Sequence, residues 1–331
     1  MTIRKSIFLW PDPQSPSLGD VFRRTSAYEI EDLLRSYWPE IFPVLFSSAR
    51  SGLTAILQHL GLSRPDLVWC PPYSSHCLFE SIGRVATPIT EQSNKVQIAL
   101  IYHQWGFPGF HQWPESVIII EDSVDTLFLP NADIFSAGGR FAIQSLPKVY
   151  GCVCGGVVFC RNEKDAQALI NIRKQRGISR IQTLLRMLSS RSRSAYLYWH
   201  GAESLRGGLP NTALCQILRK VNMLPKFVQN RLDFLSDLSP SLAEHAKNTG
   251  CIPSNLPIIV TPKIKKIWCS NGSFRAGLRN FNISRTAPYV KWRTVAPLPL
   301  HIDVDYDELC NLIPMLKHEN KSEVKDELGF F

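Results

Sequence analysis

The chain has no apolar stretch long enough to cross a membrane. Its amino-terminal run, Ile7-Phe8-Leu9-Trp10, has a basic flank but is too short for the core of a secretory signal. A cytoplasmic location is therefore expected, with no membrane partner. Paired cysteine spacings are missing as well. The nine cysteines are scattered, and Cys152 and Cys154, though close together, have no second cluster to complete the three or four soft ligands of a zinc site. An odd number of thiols without a secretory signal argues for reduced cysteines. No metal is expected. Internal repeats and low-complexity tracts are also lacking.

Acidic residues are the scarcer charge, 28 against 37 Lys and Arg, which leaves a formal charge of +9. The excess concentrates between Arg161 and Arg193, in Arg173, Lys174, Arg176, Arg180, Arg186, Arg191 and Arg193. No zinc-finger, RNP or helix-turn-helix pattern accompanies this run, so nucleic acid is not the expected partner. A smaller anion, such as a cofactor phosphate or a nucleotide diphosphate, needs the same cations. A solvated helix face is the plain alternative.

What is present is 331 residues with 44% hydrophobic and 20% charged content, enough for one large domain with a smaller companion. Through the first two thirds, helical and strand patterns alternate. Ser47–Leu60 carries Leu53, Ile56, Leu57 and Leu60 at helical spacing, and Asp66–Cys70 is a short apolar run closed by Pro71-Pro72. A helix around Leu78–Val85 and strands at Val96–Tyr102 and Val117–Ile120 continue the alternation, which implies α/β units around a mainly parallel sheet. After about Leu224 the pattern changes. A long helix over Pro225–Leu238, an apolar strand Leu256–Val260 and a closing helix over Asp305–Leu316 suggest a smaller α/β domain, giving divisions at 1–224 and 225–331.

Two residues carry the chemistry. Asp122 directly follows the apolar strand Val117–Ile120, at the carboxyl end where open α/β sheets meet their ligands, although a helix cap or first loop residue would look the same. Lys148 lies in what reads as a loop, followed by Gly151, Gly155 and Gly156, whose spacing suggests a tight backbone passage before the strand Val157–Phe159. A lysine able to form a Schiff base, with a carboxylate able to hold a pyridine nitrogen protonated, suggests pyridoxal 5'-phosphate (PLP).

The order of motifs resembles the DegT/DnrJ/EryC1/StrS family of fold-type-I PLP enzymes, mostly nucleotide-sugar aminotransferases. Ser48-Ala-Arg-Ser-Gly-Leu53 is similar to the family segment whose helix amino terminus cradles the cofactor phosphate, with Arg50 and Ser51 at the matching positions. Pro71-Pro-Tyr-Ser-Ser-His-Cys77 resembles the segment beside the cofactor ring and puts Ser75 where an aromatic residue usually stacks, with His76 or Tyr73 as substitutes. Glu121-Asp-Ser-Val-Asp125 is similar to the Glu-Asp-x-Ala-Gln/His segment and makes Asp125 the residue facing the phenolic oxygen. A carboxylate there is repulsive unless one partner is protonated or Asp125 turns away. Ser145-x-x-Lys148 before Gly155-Gly156 resembles the Schiff-base stretch, with Cys154 where an acidic residue often precedes the glycines. Arg176-Gly-Ile-Ser-Arg180 and Pro299-Leu-His301 echo later segments. Leu209-Pro-Asn211 resembles a Tyr-Asn-x-Arg segment whose asparagine reaches the partner subunit's phosphate.

The resemblance implies a fold-type-I PLP-transferase-like large domain, a homodimer with shared sites, and transfer of an amino group, with glutamate as donor and a nucleotide-linked keto sugar as acceptor. Lys148 would move the proton, its pKa expected to fall toward neutrality through partial burial beside a cationic ring. Two further readings stay open: a member that has lost turnover and serves as a binding or dimerisation partner, and a PLP enzyme acting on a non-sugar substrate.

Overall fold

Val96–Tyr102 and Ile118–Asp122 carry branched residues on both faces, a pattern satisfied only inside a sheet covered on both sides. A computed structural model, which describes residues 8–11, 15–189, 192–202, 206–270, 276–284 and 290–304, places them there. The chain enters through α1 (Leu18–Phe22) and α2 (Ala27–Tyr37), then alternates through β1 (Phe42–Phe46), α3 (Ala49–His59), β2 (Leu67–Trp69), α4 (His76–Ile82), β3 (Thr87–Ile89), β4 (Val96–Tyr102) and β5 (Ile118–Asp122). The short β6 (Thr126–Phe128), then β7 (Phe141–Ser145), α5 (Leu146–Tyr150) and β8 (Gly156–Cys160), follow. Seven strands form one sheet in the order β1-β8-β7-β5-β4-β2-β3. β8 runs antiparallel to both β7 and β1, and the other neighbours pair parallel. The expected α/β class with a mainly parallel sheet is what the structure shows.

Alternation along β8 shows how the two faces are used. Val158 and Cys160 pack under α3 with Phe46, Leu53 and Ile56, while Val157 and Phe159 point into the opposite cluster with Trp38 and Ile217. Helix α3 approaches closely because residue 52 is glycine: a Cβ there would come within 2.6 Å of Val158 Cγ2. Its N-cap, Ser48, accepts the Ser51 N–H at 3.1 Å, a contact of about 1 kcal/mol that fixes where the helix begins.

Four helices follow, α6 (Glu163–Gln175), α7 (Arg180–Leu188), α8 (Arg193–Ala202) and α9 (Asn211–Val221). The basic run thus divides among several environments. Arg173 is buried and pairs with Glu31, its Nη1 also donating to the Leu45 carbonyl at 2.8 Å, while Glu31 accepts the Leu45 N–H at 2.7 Å. Arg176 donates to the Ser51 carbonyl and Thr54 hydroxyl at 2.8 and 2.9 Å, bracing α3 from the side. Lys174, Arg180 and Arg193 are exposed. The solvated-face reading holds for those three, and Arg191 lies outside the described residues.

Beyond residue 224 come α10 (Leu224–Leu238), α11 (Pro240–Thr249), β9 (Cys251–Pro253), β10 (Asn255–Ile259), α12 (Pro262–Ser270), β11 (Arg279–Asn282) and β12 (Trp292–Pro299). The expected helix at 225–238 and strand at 256–260 are α10 and β10; the closing helix expected over 305–316 lies outside the described residues. A three-stranded antiparallel sheet, β10-β12-β11, forms here, and β9 reaches back to pair with β6. Among the described residues no helix is long and apolar enough to cross a membrane.

Candidate active site

Lys148 does not sit in the loop that its sequence suggests. β7 ends at Ser145, and the chain turns directly into α5, which has Pro147 in its first turn and is closed by Gly151 in the left-handed region at φ 62°. That short helix aims the Lys148 ammonium at Asp125 Oδ1, 2.7 Å away, and over the ring of Trp10, 4.5 Å from its centroid. One face of the side chain borders a cavity of about 400 Å³.

Asp122 closes β5 and borders the same cavity. Its carboxylate accepts the Val124 N–H at 3.3 Å and is 5% exposed. Burial, reinforced by the charge of Asp125, lifts its pKa to about 7 against the pull of Lys148. The sheet explains the convergence: β5 and β7 are parallel neighbours, so both carboxyl ends open on one crevice.

Asp125 occupies a different position. It is fully buried and lies on the far side of the lysine, in a small cavity that it shares with Arg231 and His301, not on the wall of the main one. Oδ1 accepts from Lys148, and Oδ2 accepts the Tyr102 hydroxyl at 2.5 Å. The carboxylate has turned away from the crevice, one of the two ways in which a phenolate neighbour becomes tolerable. Burial pushes the lysine toward deprotonation, yet Asp125, with smaller help from Cys77 and Asp122, offsets it and the Lys148 pKa lies above the ordinary lysine value. The sequence had suggested the opposite balance, since it could not show a buried counter-ion beneath the amine.

The main cavity gathers some of the other candidates and leaves others out. Arg50, Ser75 and Ser145 line it, with Val124 and Cys77. Ser51 is fully buried behind the helix start, its hydroxyl donating to the Arg206 carbonyl. His76 is 85% exposed and pairs with Glu80, while Tyr73 packs beside Tyr102 and Trp292, so neither reaches the cavity wall. Asn211 stands at the start of α9, where its side chain accepts the Thr25 N–H at 3.1 Å and donates to the Arg23 carbonyl at 2.6 Å.

Several wall residues escaped the sequence reading. Trp10 comes from the amino-terminal segment, and Tyr196, Trp199 and His200 come from α8. Trp199 lies between two guanidinium groups, Arg186 at 4.3 Å and Arg50 at 5.2 Å from its ring. Arg50 also donates to the His200 carbonyl at 3.2 Å. The 196, 199, 200 spacing of aromatic rings on one helical face was the available signal; the surrounding arginines drew attention away from it.

The cavity fits PLP. Its wall includes the first turn of α3, Ser48 to Arg50, where helix N–H groups and dipole favour a phosphate. It also includes Asp122, a buried carboxyl whose ionised form gains from a cationic ring nitrogen, with Lys148 on the wall between α5 and the crevice.

Comparison with known proteins agrees. A family model whose description reads "Putative PLP-dependent aminotransferase" matches residues 30–318. Among solved structures, the chain is similar to a DegT DnrJ EryC1 StrS aminotransferase from Brucella abortus (13% identity, 92% of this chain and 93% of that one, TM-score 0.59). It is similar also to the aminotransferase TlmJ from Streptoalloteichus hindustanus (12%, 93% and 98%, TM-score 0.59). NtdA from Bacillus subtilis, with bound cofactor PMP, matches at 14% identity over 91% of this chain and 79% of that one, TM-score 0.57. No curated protein matches the chain.

Proposed function

Starting from the fact that the chain belongs to the PLP-dependent aminotransferase family, we propose that it moves an amino group from glutamate to the keto group of a nucleotide-linked sugar. The observation that carries this reading is the convergence of Lys148 and Asp122 on one cavity that also reaches the start of α3. The sugar acceptor is supported by a structural neighbour from Streptococcus pneumoniae described as "Putative sugar aminotransferase Spr1654", and by the cationic wall formed by Arg50 and Arg186.

PLP supplies the carbonyl that captures an amine and the ring that accommodates negative charge on the neighbouring carbon. The residues of this chain do the rest. Lys148 would hold the cofactor through its amine and would serve as the base that moves a proton at the reacting carbon. Asp122 keeps the ring nitrogen protonated. The first turn of α3 receives the phosphate, with Arg50 beside it and Ser51 fixing the turn from behind, and Ser145 borders the same space. Val124 and Ser75 line the space the ring would take, Ser75 leaving more room there than an aromatic residue would.

We further read residues 1–224 as the cofactor-bearing domain and 225–331 as its companion, in a cytoplasmic homodimer that presents Asn211 to the partner's site. The change from the seven-stranded sheet to the antiparallel β10-β12-β11 sheet supports the division. The test is chemical: purified protein is incubated with PLP, reduced with borohydride and digested. A pyridoxyl adduct on Lys148 is expected, as is glutamate-dependent release of the aminated cofactor before reduction. An adduct confined to surface lysines would sink the assignment, and an adduct at Lys148 without response to glutamate would favour the non-catalytic binding role.

A further inference from the structure

Lys148 has a second partner system that the amino-transfer reading leaves unused. Its Nζ lies 2.7 Å from Asp125 Oδ1; the other oxygen of that carboxylate accepts the Tyr102 hydroxyl, and both Asp125 and Tyr102 are anchored by the sheet, on the loop leaving β5 and at the end of β4. Asp125 is fully buried, so the ion pair is shielded from solvent on the carboxylate side.

We propose that Asp125, held by Tyr102, is a positioning residue that keeps Lys148 as an ammonium ion and aimed beneath the crevice, and thereby sets the pH at which this amine becomes a nucleophile. The idea rests on Lys148 being the cofactor-bearing lysine. A protonated amine has no lone pair with which to attack a carbonyl, so one proton must leave Nζ before a C–N bond forms. Asp125 Oδ1 is placed to take it, with the Tyr102 hydrogen bond retained on Oδ2, and to return it when the amine is freed.

Asp125 is the carboxylate that the amine hydrogen-bonds, and the other groups around it act more weakly. Asp122 borders the main cavity and is itself raised toward neutrality by burial and by the charge of Asp125; Cys77 also lines that cavity, and Trp10 offers only its ring face. Arg231 and His301, which share the small cavity below, are committed to the carbonyls of His301 and Phe8 respectively. Asp125 is therefore the foremost of the groups that keep Lys148 charged, ahead of Cys77 and Asp122, while burial works in the other direction.

The experiment is a pH series of brief acetic anhydride labelling on the full chain without added cofactor, with each lysine quantified by peptide mass spectrometry. In the wild type, Lys148 should lag behind exposed Lys95 and Lys265 until strongly alkaline pH. Asp125→Asn should move its labelling midpoint down by at least about one pH unit, so that its rate at pH 8 rises about tenfold. Tyr102→Phe should give a smaller shift the same way, and Asp125→Glu should restore part of the lag. Exposed lysines serve as internal controls: if a variant unfolds, all lysines converge, and the Tyr102→Phe and Asp125→Glu profiles then decide. An unchanged Lys148 profile in folded Asp125→Asn, or a wild-type Lys148 that labels like Lys95, overturns the proposal. PLP addition and reduction on the same samples reports separately whether Lys148 is the cofactor-bearing residue.

Discussion

A Cβ on Gly156 would lie 2.2 Å from the backbone nitrogen of Ala49, so the entry of β8 and the first turn of α3 touch through a glycine that no other residue can replace without movement. The contact ties the helix start to the sheet just where the phosphate is proposed to bind. Gly156→Ala must push Ser48 and Ala49 away from β8. The expected result is at least tenfold weaker PLP binding, read from cofactor titration, together with about 1 to 3 kcal/mol of lost stability in denaturant unfolding. Undiminished PLP affinity in a destabilised Gly156→Ala protein would separate the helix start from the phosphate.

Asp122 gives a pH signature in the cofactor-free protein. Its folded pKa is raised from 3.8 to about 7, burial being the main cause, so the folded state holds the proton more tightly than the unfolded chain. The stability that it contributes is complete below about pH 4 and is lost as pH rises through 7. Asp122→Asn removes that slope. Apo Asp122→Asn should therefore melt higher than wild type at pH 8, by an upper bound of about 4 kcal/mol, with the gap closing toward pH 4. The same variant should lose amino-transfer activity, because the ring nitrogen loses its anion. A gap that widened toward acid would contradict the assigned protonation.

The alternation of β4, β5 and β8 was legible from runs such as Val96–Tyr102 because burial on both faces writes itself into composition. Asp122 was legible for the same reason, as a carboxylate at the end of such a run. The environment of Lys148 was not. Asp125 and Tyr102 reach it from 23 and 46 residues away in the chain, and only the pairing of β4, β5 and β7 brings those distances to hydrogen-bond range. Arg173 was hidden differently, since nothing local distinguishes a buried arginine from its exposed neighbour Lys174.

That buried arginine makes a stability prediction. Arg173 and Glu31 are both under 10% exposed and share the Leu45 peptide, so removing the cation leaves a carboxylate without its charge partner between α2 and β1. Arg173→Met should cost about 3 to 5 kcal/mol in urea unfolding. Adding Glu31→Leu should recover a large part of it, because the uncompensated charge is then gone. PLP loading of the folded fraction should be unchanged in both variants, which places Arg173 outside the anion-binding surface that the basic run suggested.

Arg186 and Arg50, by contrast, face the cavity, and Trp199 lies between them. Each guanidinium gains about 0.5 to 1 kcal/mol from the ring at partly exposed sites and also loses rotational freedom there. Trp199→Ala removes the ring from both, leaving Arg50 its bond to the His200 carbonyl and Arg186 its bond to the Ser189 hydroxyl. Because neither arginine touches Lys148 or Asp122, the borohydride adduct on Lys148 should still form at saturating PLP, although Arg50 beside the proposed phosphate site should let PLP affinity fall a few fold. An anionic substrate, however, meets two less restrained cations, and ordering them now draws on its binding energy. The expected outcome is a rise of about five- to tenfold in KM for the substrate with a smaller change in kcat, measured against Trp199→Phe, which keeps a π-face and should fall between. A Trp199→Ala enzyme with unaltered KM and reduced kcat would instead place the ring against the reacting atoms.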